Sequence, residues 1–68
     1  MLITINGKNQ QVSAGATVTS LIDTLLGAAE GRGVAVALDG EVVPRAAWAR
    51  TELREGAHVE VVVAVQGG

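Results

Sequence analysis

Met1, Ile3 and Ile5 alternate with Leu2 and Thr4 at the start of the chain, the period-two pattern of a strand with one face turned to a core. Asn6-Gly7 follows directly. A type I′ hairpin turn puts both central residues at positive φ, which Asn and Gly tolerate, so a second strand from Lys8 to Val12 is expected to fold back antiparallel on the first. Ser13-Ala14-Gly15-Ala16 ends it, and from Thr17 the period changes. Val18, Leu21, Ile22, Leu25 and Leu26 fall at i, i+3, i+4, i+7 and i+8, one face of an α-helix. Thr17 is the expected N-cap, and the three glycines between Gly27 and Gly33 should end the helix near Ala29. Gly33 to Leu38 reads as a strand with Val34, Val36 and Leu38 inward and Ala35 and Ala37 opposite. Asp39-Gly40 is a second hairpin signal, leading into the short run Glu41-Val42-Val43. Pro44 then removes a ladder donor, as on an edge strand. Arg45 to Leu53 is a less regular connection with a helical turn expected at Ala46 to Ala49. After a turn at Glu55-Gly56, the run from His58 to Val65 places Val59, Val61, Val63 and Val65 on one face.

The order is therefore strand, strand, helix, strand, short strand, irregular turn, strand. One helix with a single apolar stripe must pack across one face of the sheet, giving an α+β sandwich of two layers. The first and last strands are long and apolar and are the best candidates for its centre. Without an internal repeat or a linker, residues 1–68 read as a single domain ending in a flexible tail, 66–68.

Composition narrows what such a domain does. At 68 residues, a chain buries only about 60% of the surface its unfolded form exposes, which leaves little core in which to shelter a catalytic pocket. There is no cysteine, which excludes disulfides, thiolate metal sites and a nucleophilic thiol; one histidine, His58, is too few for a usual metal cluster. Five Lys and Arg against seven Asp and Glu give a net charge of −2, contrary to the basic face of a nucleic-acid binder. No run is long and apolar enough to span a bilayer, and no signal-peptide pattern opens the chain, so a cytoplasmic protein that is monomeric when free is expected.

The residues with chemistry to offer are the last three, Gln66-Gly67-Gly68. A glycine pair ordinarily serves positive φ or a close approach, and no later element here needs the turn. Lacking Cβ atoms, Gly67 and Gly68 are suited to thread a narrow channel and bring a sterically bare carboxylate into another protein's active site. A carboxylate is a poor electrophile and needs activation, typically as an acyl-adenylate made from ATP; a sulfur donor displacing AMP would then leave a thiocarboxylate. The outward face of the last strand reads His58, Glu60, Val62, Ala64, Gln66 and turns apolar toward the tail. Val62 and Ala64, with Val65 beside them, are candidate docking residues.

The architecture and the terminal Gly67-Gly68 resemble the β-grasp, or ubiquitin-like, fold and its carrier members, with a mixed sheet of four to five strands against one main helix. Within that fold the chain is most similar to the ThiS family of sulfur carriers of thiamine thiazole synthesis. The likeness rests on Ile3-Thr4-Ile5-Asn6-Gly7, on Val34 through Arg45 and on Val63-Ala64-Val65-Gln66-Gly67-Gly68, with Trp48 shortly after Pro44-Arg45 also fitting. The resemblance implies that a ThiF-type enzyme adenylates Gly68 with ATP and that a sulfurtransferase system supplies sulfur. A ThiG-type thiazole synthase would then receive it, while the carrier itself binds no cofactor and catalyses nothing. Two alternatives stand beside it: the small subunit of molybdopterin synthase, and a ubiquitin-like modifier or passive interaction module.

Other residues have plainer expectations. Arg45 reads as a solvated charge or an interface contact, Trp48 as a ring capping an aromatic-poor core rather than an interface anchor, and His58 as an exposed loop residue. Turn chemistry accounts for Asp39-Gly40.

Overall fold

The computed structural model describes residues 1–26 and 33–63. Five strands and one α-helix follow in the order β1 (Leu2–Ile5), β2 (Lys8–Gln11), α1 (Val18–Leu26), β3 (Val34–Leu38), β4 (Glu41–Val42) and β5 (His58–Val63), with a 3-10 helix at Arg45–Arg50 before β5. The strands form one mixed sheet in the order β2-β1-β5-β3-β4. β5 is central and β1 lies beside it, parallel, while the hairpin partners β2 and β4 are the edges. The fold class expected from the pattern is the one observed. The expected helix end near Ala29, the 27–32 segment and the continuation of β5 to Val65 lie outside the described residues.

Both hairpins close as their sequences require. Asn6 and Asp39 each have φ 49°, followed by Gly7 at 83° and Gly40 at 86°, the left-handed pair of a type I′ turn. The helix begins with a reciprocal cap. The Ser20 N–H donates to Thr17 Oγ1 at 3.2 Å, and the Thr17 N–H donates to Ser20 Oγ at 2.9 Å. This is a capping box with serine in the place usual for Glu or Gln. A third first-turn donor, the Val18 N–H, finds the Thr51 carbonyl at 3.0 Å, which ties the connection after the 3-10 helix to the start of α1.

α1 turns Val18, Leu21 and Ile22 onto the sheet, where they meet Ile3, Val36 and Val59; Trp48, Leu53 and Ala57 complete the buried cluster. Trp48 is a core residue, 5% exposed, and its indole Nε1–H donates to the Val43 carbonyl at 2.9 Å, so the large ring is buried without stranding its polar atom. The Arg45 guanidinium lies over that ring, 5.4 Å from its centroid, covering its outer side as a cation–π partner. Among the described residues no helix is long and apolar enough to cross a membrane.

Candidate functional site

β5, the strand that precedes the tail, lies between β1 and β3, with β4 beyond β3. β5 is antiparallel to β3, with Val34 opposite Val63, Ala35 opposite Val62, Val36 opposite Val61 and Ala37 opposite Glu60. Val36 and Val59 are buried under α1, so the alternate residues Ala35, Ala37, Glu60 and Val62 face away from the helix. β4 extends this open face, since Val42 stands directly opposite Ala37. Val62 is 63% and Val42 75% exposed, and Ala35 is exposed between the strands that carry them. The result is an apolar area of Val62, Ala35, Ala37 and Val42, with Glu60 as its one charged member in β5.

The other half of the same face is mostly polar, with Leu2, 39% exposed, as its apolar member. Thr4 of β1 is level with His58 of β5, and Asn9 and Gln11 of β2 lie opposite Thr4 and Leu2. The larger apolar area thus lies on the β5-β3-β4 side, with Leu2 of β1 apart from it. Val63, on the helix side of the sheet, is 49% exposed, so the strand's last two described residues, one on each face, are both apolar and exposed.

Two side chains grip β5 from its neighbours' turns. Asn6 Oδ1 accepts from the Val61 N–H at 2.8 Å, and Asn6 Nδ2 donates to the Val61 carbonyl at 3.1 Å. On the opposite side of the strand and at its opposite end, Asp39 Oδ1 accepts from the His58 N–H at 2.9 Å while the Asp39 N–H donates to the His58 carbonyl at 2.7 Å.

Of the residues singled out from sequence, Val62 stands on the open face as expected, and Ala64, Val65, Gln66, Gly67 and Gly68 lie outside the described residues. Sequence reasoning missed Ala35 and Val42 as members of this face. Val42 carries a weak local signal, an apolar residue in a two-residue edge strand, but its placement beside Val62 depends on pairings between distant segments. His58 is exposed at the first position of β5 rather than in a loop. A groove between β2 and α1, lined by Gln11, Val12, Ala14, Leu21, Thr24 and Leu25 among others, carries no ionisable side chain among the described residues. Among the described residues no three His, Cys, Asp or Glu side chains are placed to hold a metal ion.

Comparison with known proteins agrees with this geometry. The ThiS family model matches residues 3–68. The crystal structure of the thiamine biosynthesis protein ThiS from Geobacter metallireducens superposes with a TM-score of 0.82 at 36% identity, covering all of both chains. A solution structure of a thiamine biosynthesis protein from the same organism gives the same TM-score, 0.82, and identity, 36%, over all of this chain and 88% of that one. Among curated proteins, a thiazole synthase of Paramagnetospirillum magneticum is 34% identical over the whole of this chain, which spans only 20% of that protein's length. An α1-backed mixed sheet with β5 at its centre, matched over its full length by the Geobacter ThiS fold and by the family model from residue 3 onward, makes this chain a member of the ThiS family.

Proposed function

We propose that this protein is a sulfur carrier of thiamine biosynthesis and that the carboxylate of Gly68 is its working group. The observation that carries the proposal is family membership across residues 3–68, a span that takes in the Gln66-Gly67-Gly68 end as well as the fold. In the proposed cycle the Gly68 carboxylate attacks the α-phosphorus of ATP in a ThiF-type partner, releasing pyrophosphate and leaving an acyl-adenylate. Sulfur at the sulfide level, supplied by a sulfurtransferase system together with a thiol reductant, then attacks the acyl carbon. AMP departs, and the resulting thiocarboxylate donates its sulfur to a ThiG-type thiazole synthase in the cytoplasm. The carrier has no catalytic part in these steps: it presents a bare terminus and supplies a surface by which partners hold it.

The open face fits that division of work. Ordering an extended tail in a partner's channel costs about 1–2 kcal/mol per residue of backbone entropy, which a docked folded domain offsets. Val62, with Ala64 and Val65 after it, is proposed as the part of the docking face nearest the tail, with Ala35 and Val42 extending it. The Paramagnetospirillum thiazole synthase supports the ThiG-type partnership, because a segment of that longer protein is similar to this whole chain.

The deciding experiment is the intact mass of the purified protein after incubation with a ThiF-type enzyme, ATP and a sulfide source. The expected result is a shift matching replacement of one oxygen by sulfur, absent when Gly68 is deleted. No shift with an adenylating enzyme shown to be active on another carrier would remove the proposal.

A further inference from the structure

β1 and β5 run side by side only as far as the Asn6-Gly7 turn. The Thr4 N–H donates to the Ala57 carbonyl and the Asn6 N–H to the Val59 carbonyl, each at 2.9 Å. By the same alternation the next main-chain groups of β5 that face this side belong to Val61, where β1 has already turned away. The Asn6 side chain takes the missing strand's place: its carboxamide, a peptide-like group, accepts from the Val61 N–H and donates to the Val61 carbonyl, at 2.8 and 3.1 Å. The left-handed φ of 49° carries the main chain off into the hairpin while the side chain reaches across to β5.

We propose that Asn6 is a positioning residue for the tail. It holds β5 in the sheet through Val61 on the side where pairing with β1 has ended, and so fixes the end of the strand from which the chain continues to Gly68. This rests on the carrier reading above. The consequence is specific. When the end of β5 frays, the fraction of carriers offering the tail in the docked direction falls, and apparent affinity falls with that fraction. Once the carboxylate is seated, the chemistry is the same. KM for the carrier should therefore rise while kcat stays put.

Asp39 provides a matched control. It too has φ 49° before a glycine and grips β5 by its side chain, but at His58, the end far from the tail. Glycine accommodates the left-handed conformation, so Asn6→Gly and Asp39→Gly keep their turns and lose only the grip. The measurement is adenylation of each variant by a ThiF-type enzyme, together with amide hydrogen exchange of the free carriers. Asn6→Gly is expected to raise KM about tenfold with kcat unchanged, and Asp39→Gly to leave KM within about twofold. Val61 loses its own acceptor in the first variant, so the informative amide is Val62, which faces β3 opposite Ala35. Its exchange should quicken about tenfold in Asn6→Gly alone, as expected of local opening confined to the strand's end. Equal KM changes in the two variants, or unchanged Val62 exchange in Asn6→Gly, would overturn the proposal. A wild-type chain that no active adenylating enzyme accepts would instead remove the carrier reading, and Val62 exchange would still decide whether Asn6 holds the strand.

Discussion

Val62 sits opposite Ala35 near the C-terminal end of β5 and is 63% exposed. An exposed valine is unremarkable alone, but Val42, 75% exposed, and the two alanines of β3 join it in one area that a partner can cover. Val62→Asp tests what this area does. The substituted side chain points into solvent, so the melting temperature should stay close to wild type. Burying the new carboxylate against a partner without a matching cation would be costly, and titration calorimetry with a ThiF-type or ThiG-type enzyme, the proposed partners, should show binding weakened at least tenfold. Unchanged affinity for both partners would place the docking surface elsewhere. Trp48 shows the opposite case at the same scale. It is the chain's one aromatic residue, and the structure spends it in the core, with Nε1–H satisfied by Val43 and Arg45 laid over the ring.

The helix and the hairpins are where local signals in the sequence translated most directly into structure. Asn6-Gly7 and Asp39-Gly40 turn where the dipeptides require, because positive φ is a property of the residue and little else. α1 starts at the residue after Thr17 because Thr17 and Ser20 satisfy each other's amides. Thr17→Ala should cost about 1 kcal/mol and lower the thermal midpoint by about 4–8 °C in a domain of this size. Thr17→Asp, which keeps an acceptor and adds favourable charge at the helix N-terminus, should melt near wild type. Circular dichroism melts of the two decide it, and equal midpoints would show that the Thr51 carbonyl on Val18 suffices as a cap. What the local pattern did not disclose is the second use of Asn6 and Asp39. Their backbone conformations were legible, but their side chains bond to Val61 and His58, segments whose nearness is fixed by pairing across more than fifty residues in one case. The same long-range register hid the company of Ala35 and Val42 beside Val62.

Across the whole molecule, the buried cluster and the proposed working group occupy different stretches of chain. Every residue of the buried cluster lies between Ile3 and Ala57 or at Val59, and the described sheet pairing ends at Val34 with Val63. The proposed working group, Gly68, comes five positions later. The two roles should therefore separate under mutation. Val59, 1% exposed at the centre of the sheet, loses two methyl groups in Val59→Ala. Their transfer free energy and the cavity left behind should destabilise the fold by about 2 kcal/mol. That variant should still take up sulfur at a temperature where it remains folded. Removal of Gly67 and Gly68 should do the reverse, abolishing the mass shift while urea unfolding gives the same midpoint and slope as the full chain. A truncated protein destabilised as much as Val59→Ala would mean that the tail packs on the body and is part of the fold. Partners would then have to peel it away before activation, and the entropic cost of threading it would be joined by the loss of those contacts.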